Sequence, residues 1–207
     1  MLYLFDEIEL LSDDFPGSKM PFLSVERREK ILRIRSLSGK KESAAAYLLL
    51  RLALLEVYGL TEIVEFDYLD KGKPVLKGYP MIHFSLSHTK GVAACAVSDS
   101  MVGVDVQEIR TVSDKAAKRV LTDEEYGGFK TAVDPDEYFC RIWAIKESLM
   151  KKTGQGMAAA FKKMPVEKIT DINVFRKKDY FCGVCGSKTK NMHINHIMRE
   201  DCEKLHN

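Results

Sequence analysis

The stretch Lys41–Tyr58 limits the architectures open to this chain more than any other. It contains Ala44-Ala-Ala-Tyr-Leu-Leu-Leu-Arg-Leu-Ala-Leu-Leu with no glycine or proline, so it reads as a helix, and Gly59 supplies its C-cap. The helix is apolar nearly all round and has to be covered on most sides. The flanking sequence offers the cover. Met1–Leu11 alternates weakly and reads as a first strand, followed by a turn at Asp13–Gly17. Ser24 is placed to cap a helix that carries Arg27, Arg28, Lys30, Arg33 and Arg35 and runs through Leu37 toward Gly39. Downstream, Ile63–Tyr68, Ile82–His88, Gly91–Val97 and Val102–Gln107 read as strands. A turn falls at Lys71-Gly72-Lys73-Pro74, and a hairpin at Ser98–Ser100 joins the last two strands.

The order then repeats. Thr122-Asp-Glu-Glu125 is an N-cap with acids in the first turn. Pro135 opens a second long helix through Trp143 to Lys151, stopped by Gly154 and Gly156, and Asp171–Arg176, Tyr180–Cys185 and Met192–Ile197 are short strand candidates. The expected fold is α+β, with two similar halves at residues 1–100 and 101–207 related by a pseudo-twofold axis, and a ligand site between them. The second half is the shorter one, because Met157–Lys168 is a compressed, Ala- and Lys-rich connection where one or two strands should stand. Such a duplication favours a monomer. With 32 basic against 30 acidic residues the chain is no generic nucleic-acid coat, so any anion it binds must meet a local basic cluster. The acidic N-terminus shows no signal peptide, no apolar run reaches membrane-spanning length, and the odd count of five cysteines suits reduced thiols in the cytoplasm.

Two polar placements stand out against this background. Trp143, Glu147 and Lys151 recur at i, i+4 and i+8, on one stripe of the second long helix. Alone, that is either a surface Glu–Lys pair over a core tryptophan or an anionic ligand one turn from a cation. Gly103-Val-Asp105-Val-Gln107 puts Asp105 and Gln107 on one face of a strand, and Asp is a poor strand former. Asp105 either caps a strand end and pairs with a lysine, or supplies a hard oxygen ligand to Mg²⁺ shared with a phosphate-bearing substrate. A third constellation, Cys182, Cys185, His193 and His196, has ligand types that suit zinc. Its two-residue gaps, however, lie inside segments that read as strands, and its histidine pair is tighter than in ordinary fingers, which favours the strand reading.

Gly72-Lys73-Pro74, Phe84-Ser-Leu-Ser87-His88, Val102-Gly-Val-Asp105 and Trp143-Ala-Ile-Lys146-Glu147-Ser148-Leu-Met-Lys151 together resemble, in order and spacing, the Sfp-type 4′-phosphopantetheinyl transferases, over roughly residues 20–155. The resemblance implies the pseudo-twofold α+β fold and transfer of the phosphopantetheine arm from coenzyme A to a serine of an apo acyl, peptidyl or aryl carrier protein, releasing 3′,5′-ADP. It implies Mg²⁺, with Mn²⁺ as a substitute, held by Asp105 and Glu147 and weakly or through water by Gln107. Lys151 would steady the diphosphate, and Glu147 or a metal-site water would take the serine proton. Ser87, His88, Arg27 and Lys30 would meet the 3′-phosphate, and Lys73 would face the nucleotide. The chain departs from the family at three places. Gln107 stands where a Glu is frequent, Glu42 falls at a position near the start of the first long helix that is usually basic, and the second half is clipped. The alternative is a non-catalytic module that binds coenzyme A or a carrier protein. Which carrier, in fatty-acid, polyketide or non-ribosomal-peptide synthesis, is not written in the sequence.

Overall fold

A computed structural model describes residues 1–154, 164–187 and 192–204. In chain order its regular elements are β1 (Leu2–Phe5), α1 (Phe15–Lys19), α2 (Val25–Arg33), α3 (Leu37–Tyr58), β2 (Phe66–Tyr68), β3 (Pro74–Leu76), β4 (His83–Thr89), β5 (Val92–Ser98), β6 (Gly103–Glu108), α4 (Asp114–Val120), α5 (Asp123–Thr131), α6 (Pro135–Thr153), β7 (Ile172–Lys177), β8 (Tyr180–Cys185), β9 (Ile194–His196) and α7 (Arg199–Lys204).

Local chemistry fixes the helix ends. Ser24 caps α2, and Asp134 with Pro135 opens α6. Thr122 and Glu125 close a reciprocal capping box on α5. The basic helix does not run on to Gly39 as its composition suggests. Ile34 is extended, and the Ser36 hydroxyl accepts from the Gly39 amide and starts α3 there, ahead of the Lys41 expected from the apolar run. Gly39 therefore sits in a first turn, where a Cβ would come within 2.9 Å of both Ile34 and Ser36. At the other ends, Gly59 (φ 68°) and Gly154 (φ 69°) take the left-handed conformation that closes α3 and α6.

Period-two alternation sorts the strands into layers. Tyr3 and Phe5 of β1 and Ala93, Cys95 and Val97 of β5 join the core under α3. Their neighbours Leu2, Leu4, Val92, Ala94 and Ala96 face the other way and pack on Val104, Val106, Cys182 and Val184 of the second sheet. That second sheet carries α6 on its outer face, with Phe181 packed among Phe139, Cys140 and Ala144. The order from outside to outside is helix, sheet, sheet, helix. The sheets run β4-β5-β1-β9 and β6-β8-β7. Dropping β9, each is a hairpin following a long helix, with the strand that precedes that helix added beside the hairpin's second member, so the two units match strand for strand.

Two connections differ from expectation. No hairpin joins β5 to β6, because β1 already occupies the free edge of β5, with Leu2 opposite Ala96, so the chain crosses to the second sheet and pairs β6 with β8. The late strand candidate around Met192–Ile197 does not extend the second sheet either. It becomes β9, parallel to β1, with Leu2 opposite Ile194. Of the compressed connection Met157–Lys168, residues 157–163 lie outside the described residues, and the rest ends in a single short turn at Val166–Lys168. Among the described residues no helix is long and apolar enough to cross a membrane.

Candidate active site

The two sheets meet where β4 lies alongside β6. The outer edge of β6 has no strand partner, and serine hydroxyls stand in for one. Ser85 Oγ accepts from the Val104 amide at 3.0 Å and Ser87 Oγ from the Val106 amide at 3.1 Å. The residue between those amides is Asp105. A cleft of about 520 Å³ opens here between the halves. Arg27, Lys30, Lys73, Ser87, His88, Asp105, Gln107, Trp143, Glu147 and Lys151 all line it, so the side chains that the resemblance assigns to coenzyme A and the cation reach one site.

One end is anionic. Gly103, Asp105 and Gln107 face α6, as alternation requires. At Gly103 a Cβ would stand 2.0 Å from the Ser148 carbonyl oxygen, and at Gly183 one would stand 2.6 Å from that of Ala144. Both glycines thus let the helix backbone rest directly on the sheet. This approach brings the Trp143–Glu147–Lys151 stripe over Asp105. Lys151 Nζ lies 2.8 Å from Asp105 Oδ1 and donates to Ser87 Oγ at 2.8 Å, while Ser87 donates to the same Asp105 oxygen at 2.9 Å. Asp105 Oδ2 and Glu147 Oε1 are buried and have no hydrogen-bond partner. Burial, and then the Asp105 charge, push the Glu147 carboxyl up to about 7 against the pull of Lys151. Burial likewise raises the Asp105 carboxyl, opposed by Lys151 and Ser87. Two buried carboxylates, one pushed up by the other's charge and each with an idle oxygen, are the arrangement a hard divalent cation relieves. Among the described residues no three His, Cys, Asp or Glu side chains gather, so any further ligand is neutral or comes with the substrate. Gln107 lines the same wall, its amide nitrogen donating to the Glu108 carbonyl at 3.2 Å.

The other end is cationic. The Arg27 guanidinium is buried on the rings of Tyr47 and Phe66, 5.3 and 5.9 Å from their centroids. Lys30 is close by, and burial followed by the Arg27 charge lowers its ammonium. Burial also lowers Arg27. Neither has a carboxylate within ion-pair distance among the described residues, so an anion entering here would find a buried guanidinium and a more exposed ammonium, offset by Glu26 only from farther off.

Not every residue stands where the resemblance put it. The Ser87 hydroxyl is filled by Asp105, Lys151 and the Val106 amide, which leaves it no donor for a phosphate and makes it the stitch between halves at the carboxylate end. Lys73 crosses from the β2–β3 turn to donate to the Lys152 carbonyl at 2.6 Å, still on the cleft wall. Sequence reasoning took Glu42 only as a departure from a usually basic position and did not foresee its contact, buried with its Oε2 3.4 Å from His88 Nδ1; nor did it foresee the buried pair of Lys146 with Glu125 at 2.5 Å. The second of these ties the residue before Glu147 to the capping box of α5. The cysteine and histidine set is dispersed. Cys182 faces the first sheet, Cys185 lies an odd number of residues along β8, and His196 belongs to β9, where it meets Lys177.

Residues 101–191 match the model of the 4′-phosphopantetheinyl transferase superfamily. The chain is 33% identical over 141 residues to the 4′-phosphopantetheinyl transferase psf-1 of Bacillus pumilus, an alignment covering 67% of this chain and 60% of that protein. It is 31% identical over 143 residues to the 4′-phosphopantetheinyl transferase Sfp of Bacillus subtilis (strain 168), covering 67% and 63%. The chain thus spans about 60% of the length of these curated relatives.

Proposed function

We propose that this chain, which belongs to the 4′-phosphopantetheinyl transferase superfamily, moves the phosphopantetheine arm of coenzyme A onto a serine hydroxyl of an apo carrier protein in the cytoplasm. The observation that carries the reading is the polarity of the cleft, with a buried arginine and a neighbouring lysine, neither at ion-pair distance from a carboxylate among the described residues, at one end and two carboxylates with idle oxygens beside a lysine at the other. Coenzyme A is negative at both its 3′-phosphate and its diphosphate, so the cationic end would meet the phosphate directly and the carboxylate end would meet the diphosphate only through a divalent cation. In this arrangement Arg27, Lys30 and His88 receive the 3′-phosphate, and Lys73 flanks the nucleotide. Asp105 and Glu147 would hold Mg²⁺, with Gln107 as a neutral oxygen nearby. The cation would neutralise charge on the diphosphate.

The chemistry asked of the protein's own groups is modest. Lys151, already poised against Asp105, places a positive charge where the leaving phosphate gathers negative charge. Glu147, or a water it holds, accepts the proton as the serine oxygen bonds to phosphorus. The phosphorus–oxygen bond to the nucleotide breaks and 3′,5′-ADP departs with the electron pair. Trp143, packed on Phe139 with centroids 5.7 Å apart, fixes the outer wall of the cleft beside Glu147.

The test is the mass of an apo carrier protein incubated with this protein, coenzyme A and Mg²⁺. A gain of one phosphopantetheine, abolished by Glu147→Gln with the melting temperature kept, is the expected result. No gain across acyl, peptidyl and aryl carriers would reject the activity, and full activity in the variant would remove Glu147 from it.

A further inference from the structure

We infer that Glu42 sets how strongly the cationic end of the cleft selects a phosphate, and that it leaves the site permissive toward coenzyme A lacking its 3′-phosphate. The inference rests on the coenzyme A reading above. Three groups face an anion there, and two of them, Arg27 and Lys30, have no carboxylate within ion-pair distance among the described residues, Glu26 acting on both from farther off. The third, His88, does. Glu42 reaches from the first turns of α3 to put Oε2 3.4 Å from His88 Nδ1, and its other oxygen accepts from the Ser38 hydroxyl at 2.6 Å. Only 8% of Glu42 is exposed, so water screens its charge little. Burial pushes its carboxyl up, but His88, Ser38 and the Gly91 backbone more than offset that and hold it below the usual carboxylate range. Any positive charge on His88 is therefore already answered from behind. A phosphate that contacts His88 meets a fixed negative charge one imidazole ring further in. The pair adds no net charge to attract a dianion, and the selective force falls to Arg27 and Lys30. With Nδ1 turned to Glu42, the other ring nitrogen is the one left to meet a ligand.

The experiment is a calorimetric titration of the protein with coenzyme A and with 3′-dephospho-coenzyme A, run beside the carrier-modification assay with each donor. The unmodified protein should bind the two within about thirtyfold of each other, since Arg27 is the buried charge-assisted contact of the three and is worth about 1.5–3 kcal/mol, whereas three such contacts would separate them much further. Glu42→Gln keeps the size and one acceptor oxygen for the Ser38 hydroxyl while removing the charge beside His88. It should widen the ratio about tenfold, roughly 1.4 kcal/mol, through tighter coenzyme A alone. A larger preference in the unmodified protein overturns the inference without recourse to any variant, as does a ratio that stays fixed or narrows in Glu42→Gln. Binding of both nucleotides at the expected ratio without transfer to any carrier would support the inference and reject the transfer reading instead. Failure of both nucleotides to bind would remove the inference and the coenzyme A reading together, whereas failure of the dephospho form alone would overturn only the inference.

Discussion

The two helix-on-sheet units share a strand order and differ in what lies between helix and sheet. Under α3 the gap is filled by side chains: Tyr3, Phe5, Ala93, Cys95 and Val97 from the strands meet Ala45, Leu48 and Leu49. Under α6 it is nearly closed, because Gly103 and Gly183 offer no side chain and the helix backbone comes down onto them. The first arrangement maximises apolar burial and sets its buried carboxylate, Glu42, against His88 rather than against a second acid. The second gives up burial at two strand positions and brings Glu147 and Lys151 over Asp105. The same topology thus yields a stable wall bearing Arg27 and His88 in one half and a charged seam in the other.

Adding one methyl group at that seam should have the largest effect. Gly103→Ala forces a Cβ to 2.0 Å from the Ser148 carbonyl and 2.3 Å from the Lys152 amide, so α6 has to move. Denaturant unfolding should show a loss of more than about 4 kcal/mol, with transfer abolished; native-like stability would mean the halves do not differ in the way described. In the other unit, Leu49→Ala, at a fully buried position, should cost about 2–5 kcal/mol while turnover per folded molecule stays constant. A parallel fall in turnover would give α3 a part in the chemistry. Between the units, Ser87→Ala strands the Val106 amide and removes one partner each from Asp105 and Lys151, an expected cost of about 1–3 kcal/mol by the same unfolding measurement.

Legibility in the sequence follows the same divide. The stripe on α6 and the alternation in β6 depend on one element each, so Trp143, Glu147, Lys151, Asp105 and Gln107 could be assigned to faces before any packing was known, and the cleft gathers all five. Edge occupancy is not a local property. Nothing in Ser98–Ser100 says that β1 has taken the edge of β5, nor does Ile194–His196 reveal that it will pair beside Leu2. The saturation of Ser87 and the Glu42–His88 contact are likewise products of two elements meeting. A signal that could have been read is the glycine at 103, two residues before the aspartate: a glycine within a β-branched strand marks a close approach.

The charged seam also predicts a pH dependence. The Glu147 carboxyl sits at about 7 in the folded protein against an ordinary 4.5, so between those values the native state holds a proton that the unfolded chain has released. Stability of the metal-free protein should therefore fall as pH rises across that window, and Glu147→Gln should flatten the fall. An unchanged slope in the variant would place the titrating group elsewhere. The smallest effect is expected at Gln107→Glu, which adds a carboxylate to the seam and should lower the Mg²⁺ concentration for half-maximal transfer about fivefold. A raised requirement would show that Gln107 is not beside the cation.

The most direct test of the seam is whether it holds a divalent ion. Mn²⁺, observed by electron paramagnetic resonance in the presence of coenzyme A, should bind the unmodified protein at one site and lose that site in both Asp105→Asn and Glu147→Gln. Undiminished binding in either variant would contradict the account.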